Sequence, residues 1–425
     1  MIKPKKERNS VPVPKKIPAN NKQGYKWRLV IEGPPDPVTG ERTQIPRVRD
    51  TIGEVKAACK EEYDRLAAGI NMKKAKKVMV AEAAAEWREE YSKKIDKDST
   101  MDVRDRGITL LNGYIGDLPI SKITKKQYQG MIDKMSTAGR RVKDKENPGQ
   151  YIYKPYAINT IKIVDSAANM IFEWAVKEGL RKDNPSKGAI IKSKPLTVEE
   201  IEGEDIEASY LEREELRIFL DAATNHGLER DMETFYLLAF SGLRSGELCG
   251  LKWTDINFET TMLRVTKTLY NPNNNMTEYK LTPPKTKGSI RTFNLDQAII
   301  KLLQTYQERQ RYTHQRYKDQ FGEHHTKNFV FCRPNGYPYN PMDVNERMAR
   351  LLKYTNIKKH ATPHIFRHTH ISMLTEAGVD LLNIMKRVGH EDDKTTVRIY
   401  THVTNKMKKD DASKLNIEFG DLLKL

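Results

Sequence analysis

Residues 362–403 read TPHIFRHTHISMLTEAGVDLLNIMKRVGHEDDKTTVRIYTHV. The first nine, TPHIFRHTH, place His364, Arg367, His368 and His370 within seven positions. Thr362 is a candidate helix N-cap, and Pro363 suits a first helical turn. His364 and Arg367 stand three apart, so on a helix they share one face and can address one anion. The run LLNIMKRVGH ends a second helix, with Gly389 as the expected left-handed cap just before His390. Tyr400 follows ten residues after His390, in TTVRIYTHV. Upstream, Arg244 stands in FYLLAFSGLRSGELCGLKW and Lys285 in KLTPPKTKGSIRTFNL.

Each residue has a plain reading beside a chemical one. Arg244 sits where an apolar helix breaks at Ser241-Gly242, which aims a bidentate donor away from the core. Glu247 is placed to orient a neighbouring side chain, or simply to pair with Arg244 on the surface. Lys285 belongs to a turn between strands, with Gly288 supplying the reversal; an ammonium there can protonate a leaving alkoxide, as can Lys287. His364 and His368 have the i, i+4 spacing of a zinc helix, but no Glu stands at the base position and Arg367 between them repels a cation, so no metal is expected. His368 and His370 read as packing or hydrogen-bonding histidines, and His390 alone would read as a capping one. Tyrosine's ordinary pKa is about 10, so attack by Tyr400 at neutral pH needs nearby cations or a base. Taken together, the set can hold a phosphodiester and neutralise it while a phenolic oxygen attacks it.

In order, spacing and flanks this set resembles the active site of the tyrosine recombinase (phage integrase) family. The family's Lys-Thr-x-x-Ser-x-Arg pattern favours Lys285 over Lys287; its usual Leu-Gly-His is Val-Gly-His here. The resemblance implies a catalytic set of Arg244, Lys285, His364, Arg367, His390 and Tyr400, with Tyr400 the nucleophile and no cofactor. It implies strand cleavage through a 3′-phosphotyrosine and rejoining that integrates and excises a mobile element. It also implies a homotetramer on double-stranded DNA, and a C-terminal exchange segment with Leu415, Ile417, Phe419 and Leu422 as contacts. Alternatives are a chromosome or plasmid resolvase, a type IB topoisomerase and, from another class, a catalytically inactive DNA-binding regulator.

The rest of the chain extends that reading. At 425 residues it exceeds one ordinary core, so several domains are expected. Lys and Arg number 74 against 57 Asp and Glu, a net charge of +17, which favours a polyanionic partner. Residues 1–80 hold 19 of these bases and 9 of the acids, so +10 of the excess lies in the first fifth. Residues 1–20 read as a basic arm. YKWRLVIE and RTQIPRVRD read as strands and 51–69 as one covering helix, a small α+β unit over 1–70. It resembles an arm-type DNA-binding domain of phage and conjugative-transposon integrases, with Lys26, Arg28, Arg42, Arg47 and Arg49 as candidate DNA contacts. Residues 78–187 are helical in pattern apart from a loop at 136–155, and the last helix is expected to stop at Pro185. They fit an all-α core-binding domain. Residues 206–425 would then form a mainly α catalytic domain with a small antiparallel sheet, the tyrosine recombinase fold. An added arm domain points to core-type and arm-type attachment sites, an excision factor and a DNA-bending host protein as partners.

Three scattered cysteines offer no disulfide framework, and no apolar run is long enough for a bilayer. A cytoplasmic, nucleoid-associated protein of a bacterial host, with no membrane partner, is the expectation.

Overall fold

The computed structural model describes residues 12–35, 42–67, 77–95, 97–144, 147, 149–192, 206–284, 286–390 and 394–419. Side chains are described as far as Met407, with Arg65, Ala67, Glu207 and Lys287 excepted. Contacts divide the chain into two compact units, Met1–Pro195 and Leu196–Leu425. Among the described residues no helix is long and apolar enough to cross a membrane.

The N-terminal unit holds two separate apolar cores. The first lies under a three-stranded antiparallel sheet of β1 (Lys15–Pro18), β2 (Tyr25–Pro35) and β3 (Arg42–Arg49), with β2 central. Helix α1 (Ile52–Ala67) covers one face, packing Val55 and Cys59 on Leu29. Register then decides what the arginines do, because side chains alternate between faces. Arg47 pairs with Leu29 and Arg49 with Trp27, so both belong to the helix-covered face. Arg47 is tied to Glu62 of α1 at 2.7 Å. Lys26 and Arg28 lie on the opposite, open face beside Lys15 and Val48. Arg42, past a register shift, is exposed and 3.7 Å from Glu32.

The second core is helical. It joins α2 (Val80–Ser92), α3 (Asp98–Ile115), α4 (Lys125–Ala138) and α5 (Ile158–Lys177) through Trp87, Leu111, Tyr128, Ile132, Val164 and Phe172. Thr124 caps α4 as its sequence suggests, accepting from the Gln127 N–H. Two expectations fail here. Helix α5 ends at Lys177, well before Pro185, because Gly179 takes a left-handed turn and Leu180 N–H closes on Ala175 O. Residues 136–155 are also not a loop: β4 (Arg140–Lys143) and β5 (Tyr151–Lys154) form an antiparallel hairpin between α4 and α5.

The C-terminal unit is built on α6 (Arg213–Asn225), the apolar α7 (Asp231–Ser241) and the short α8 (Ser245–Cys249). A small sheet follows, with β6 (Ile256–Asn257), β7 (Met262–Val265) and β10 (Arg291–Asn294) in the order β10-β7-β6. The strands β8 (Thr268–Tyr270) and β9 (Lys280–Thr282) form their own ladder. The segment carrying Lys285 thus joins strands of two different sheets and is not a hairpin, and Gly288 has no left-handed backbone. Helices α9 (Gln297–Phe321), α10 (Pro341–Leu352), α11 (Ile365–Glu376), α12 (Leu381–Val388) and α13 (Lys394–Phe419) complete the unit. Phe219, Phe235 and Phe366 meet edge-on or tilted at its centre, fixing α6, α7 and α11 together. The side chains of Leu415, Ile417 and Phe419 on α13, and Leu422 beyond it, lie outside the described residues.

Candidate active site

Two left-handed glycines aim the site. Gly242 ends α7 with φ 64°, and a Cβ there would stand 2.8 Å from His370, so only glycine fits. The sharp turn makes Arg244 the N-cap residue of α8. Its N–H donates to Glu247 Oε2 at 3.0 Å, and its Nη1 donates to Oε1 at 3.0 Å. The Arg244 side chain is 36% exposed, against 4% for Glu247.

Glu247 is also gripped from the other side. Arg291, on β10, donates to both carboxylate oxygens at 3.1 and 2.9 Å. Burial alone would raise the pKa of Glu247, but Arg291 and the Arg244 N–H hold it down at about 2. Arg291 spends its other donors on Arg387 O and Ser289 O. It therefore ties β10, α8 and the end of α12 to one carboxylate.

Gly389, φ 71°, ends α12 as its sequence predicts, and His390 N–H closes the turn on Met385 O at 3.0 Å. Arg367 is fully buried in α11. Its Nη1 donates to Gly242 O at 2.7 Å, its Nη2 to Val388 O, and its Nε to His390 Nε2 at 3.2 Å. With Nε2 accepting, His390 carries its proton on Nδ1, which lies 2.6 Å from Thr396 Oγ1. Thr396, also fully buried, is on α13 one turn before Tyr400, so the two share a helix face. Tyr400 itself is half-buried against Tyr210, Ile371, Ile384 and Val388.

The structure therefore brings Arg244, Glu247, Arg367 and His390 to the break between α7 and α8 and the end of α12, with Tyr400 on the helix bonded to His390. His364 is exposed at the start of α11, which begins at Ile365 rather than at Thr362; its ring lies 4.8 Å from that of His368. Lys285 lies outside the described residues, but the segment after it is anchored: Ser289 Oγ donates to Gly389 O at 3.4 Å. His368 bonds Ser209 O. His370 bonds Ala239 O and accepts from Arg387, and burial, with the Arg387 charge, holds its pKa at about 3.

Sequence reading passed over Arg291 and Thr396. Arg291 was within reach, since it is the last residue of the Lys-Thr-x-x-Ser-x-Arg pattern; nothing local marks Thr396. Cavities of about 350 and 460 Å³ flank Arg230 at the far end of α7 and do not include this cluster. An extended polyanion needs an open face more than a pocket.

The model of the phage integrase family matches residues 209–407. The chain is 32% identical over 265 residues to a tyrosine recombinase XerC-like protein of Caldanaerobacter subterraneus, covering 60% of this chain and 66% of that protein. It is 26% identical over 398 residues to the ICEBs1 integrase of Bacillus subtilis, covering 90% of this chain and 94% of the relative. Among solved structures it resembles the Tn1549 transposon integrase in complex with transposon right end DNA, with TM-score 0.58 at 20% identity over 80% of this chain and 99% of that one. That last likeness bears on the fold.

Proposed function

We propose how this chain, a tyrosine recombinase of the phage integrase family that integrates mobile elements into DNA, carries out strand exchange. Tyr400 attacks the scissile phosphate and becomes joined to the 3′ phosphate, releasing a 5′ hydroxyl. Arg244, Arg367, His364 and His390 stabilise the charge that builds on the non-bridging oxygens, which preorganised donors do without reorganising. Lys285 protonates the leaving oxygen, with Lys287 as its rival. Glu247 positions Arg244. The diester energy stays in the phosphotyrosine bond, so rejoining to another strand needs no cofactor.

One observation carries the reading: the hydrogen-bonded relay from Arg367 through His390 to Thr396, one turn from Tyr400. It links a guanidinium, an imidazole and the tyrosine's own helix, which supports a shared role for them at one phosphate.

The wider assembly belongs to the same proposal. The sheet module within residues 1–70 reads arm-type sites through Lys26 and Arg28, while 78–187 and 206–425 hold core-type sites. A homotetramer joins two duplexes, with an excision factor and a DNA-bending protein setting direction. The test is a nicked duplex bearing the core site, on which the cleaved strand cannot be religated. Wild type is expected to accumulate a gel-stable protein–DNA adduct and Tyr400→Phe none. An adduct of equal yield with Tyr400→Phe would refute the assignment.

A further inference from the structure

Hairpin β4–β5 concentrates basic charge along its ladder, with Asp144 just beyond it. Its eight ladder residues, RRVK and YIYK, include four cations and no acid. The register sets Arg141 opposite Tyr153 and Lys143 opposite Tyr151 on one face. On the other, Val142 and Ile152 are half-buried beside Arg140 opposite Lys154. A directly opposed pair of like charges weakens a ladder, so stability alone does not account for this one.

In the helical part of this unit some exposed cations are paired, Lys93 with Glu89, Lys94 with Glu90 and Arg88 with Asp105, while, among the described residues, others such as Lys125 and Lys126 are not. Among the described residues none of the four hairpin cations has such a carboxylate. Tyr151 and Tyr153 are 47% and 64% exposed, and the Arg141 guanidinium lies 3.9 Å from the Tyr151 ring centroid. Stacking there holds Arg141 and Tyr151 ready at little entropic cost.

We propose that this hairpin is a DNA-contacting ribbon whose Arg141, Lys143, Tyr151 and Tyr153 face binds the duplex flanking the cleavage point. The inference rests on the recombinase reading above. A two-stranded ribbon is narrow enough for the major groove, about 12 Å wide. Arg141 and Lys143 then meet phosphates, while the tyrosine hydroxyls donate to the backbone and the rings cover sugar. The ligand is the duplex, not a second copy of the chain: four cations among eight ladder residues suit a polyanion better than a protein surface.

The test uses the full chain and a duplex with the core site, titrated from about 50 to 200 mM salt. The variant R141A/K143A/Y151A/Y153A is compared with K93A/K94A, which removes two charges from ion-paired positions. Losing two phosphate contacts should flatten the slope of log affinity against log salt by about 2 and weaken binding roughly tenfold or more. K93A/K94A should bind as wild type. The single change Lys143→Glu, which leaves Val142 and Ile152 in place, should flatten the slope by about 1. Wild-type slope and affinity in the hairpin variants would overturn the proposal. So would normal binding of one duplex with loss only of assembly on two, which would put a second copy on the hairpin. If unmutated protein shows no salt-dependent duplex binding at all, the recombinase reading fails first, a result separable from either.

Discussion

Helix α7 has a buried carboxylate cluster at its start and another just beyond its end, and the two differ in how their arginines are held. At its start Asp231, fully buried, accepts from Leu228 N–H, from Arg347 at 2.5 Å and from Arg350 at 2.8 Å. Both arginines also donate to backbone carbonyls, of Glu229 and His226. Beyond its end Glu247 likewise holds two arginines, Arg291 and Arg244. Arg291 is more enclosed than either arginine of the first cluster, but Arg244 gives the carboxylate one side-chain donor and keeps a third of its surface in solvent. In the first cluster both arginines are also tied to backbone carbonyls, whereas in the second, among the described residues, Arg244 is held by Glu247 alone. A carboxylate between two arginines is structural when both are also anchored to backbone, and becomes a tool holder when one is not.

Four changes would break or sharpen that contrast. The largest effect is expected from Arg244→Ala, which should slow core-site cleavage by about 10³-fold or more yet cost under about 1 kcal/mol of stability. Single-turnover cleavage and urea unfolding on the same preparation would check both halves. Asp231→Ala should invert the pattern. Leaving Arg347 and Arg350 without their carboxylate should cost about 3–5 kcal/mol and lower Tm by roughly 10 °C, with cleavage per folded molecule unchanged. Arg291→Lys keeps the charge but loses the fork, so a cost of about 1–3 kcal/mol is expected. Here cleavage should fall too, because Glu247 then no longer holds Arg244 in one place.

The smallest effect is in pH. His370 is neutral in the folded chain because burial, then the Arg387 charge, lowers its pKa to about 3. Unfolded, it takes a proton below about 6.5. A depressed folded pKa means the unfolded state binds more protons between those values, so stability is lost as pH falls from about 6.5 towards 3. The slope is about 1.4 kcal/mol per pH unit. Glu247 adds its own loss only below its ordinary range, from about 4.5 down to 2. Urea midpoints at pH 7, 6 and 5 should therefore fall for wild type and fall less steeply for His370→Gln, where His314, whose pKa burial lowers to about 4, still contributes.

What could be read in advance follows from how local the cause is. The cap at Gly389 and the break at Gly242 were legible, because a left-handed turn is written in one or two residues. The apolar spacing of 158–177 marked α5, but its end was misplaced because Gly179 stops the helix before Pro185 can. The face on which Arg47 stands was not legible, since it depends on pairing with Leu29, which no spacing within β3 reveals. The hairpin at 140–154 escaped notice because its two strands are four residues each and half their residues are cationic, too short for an apolar alternation to stand out. The partnership of Arg291 with Glu247 spans 44 positions, and that of His390 with Thr396 rests on where α13 packs.

The most direct test is to trap the adduct of wild type with nicked core-site DNA, digest it with trypsin and sequence the nucleotide-bearing peptide by mass spectrometry. Cleavage after Arg398 and Lys406 should give IYTHVTNK, residues 399–406, carrying the phosphate on Tyr400. A phosphate on any other residue, or strand cleavage with no linked peptide, would contradict the account.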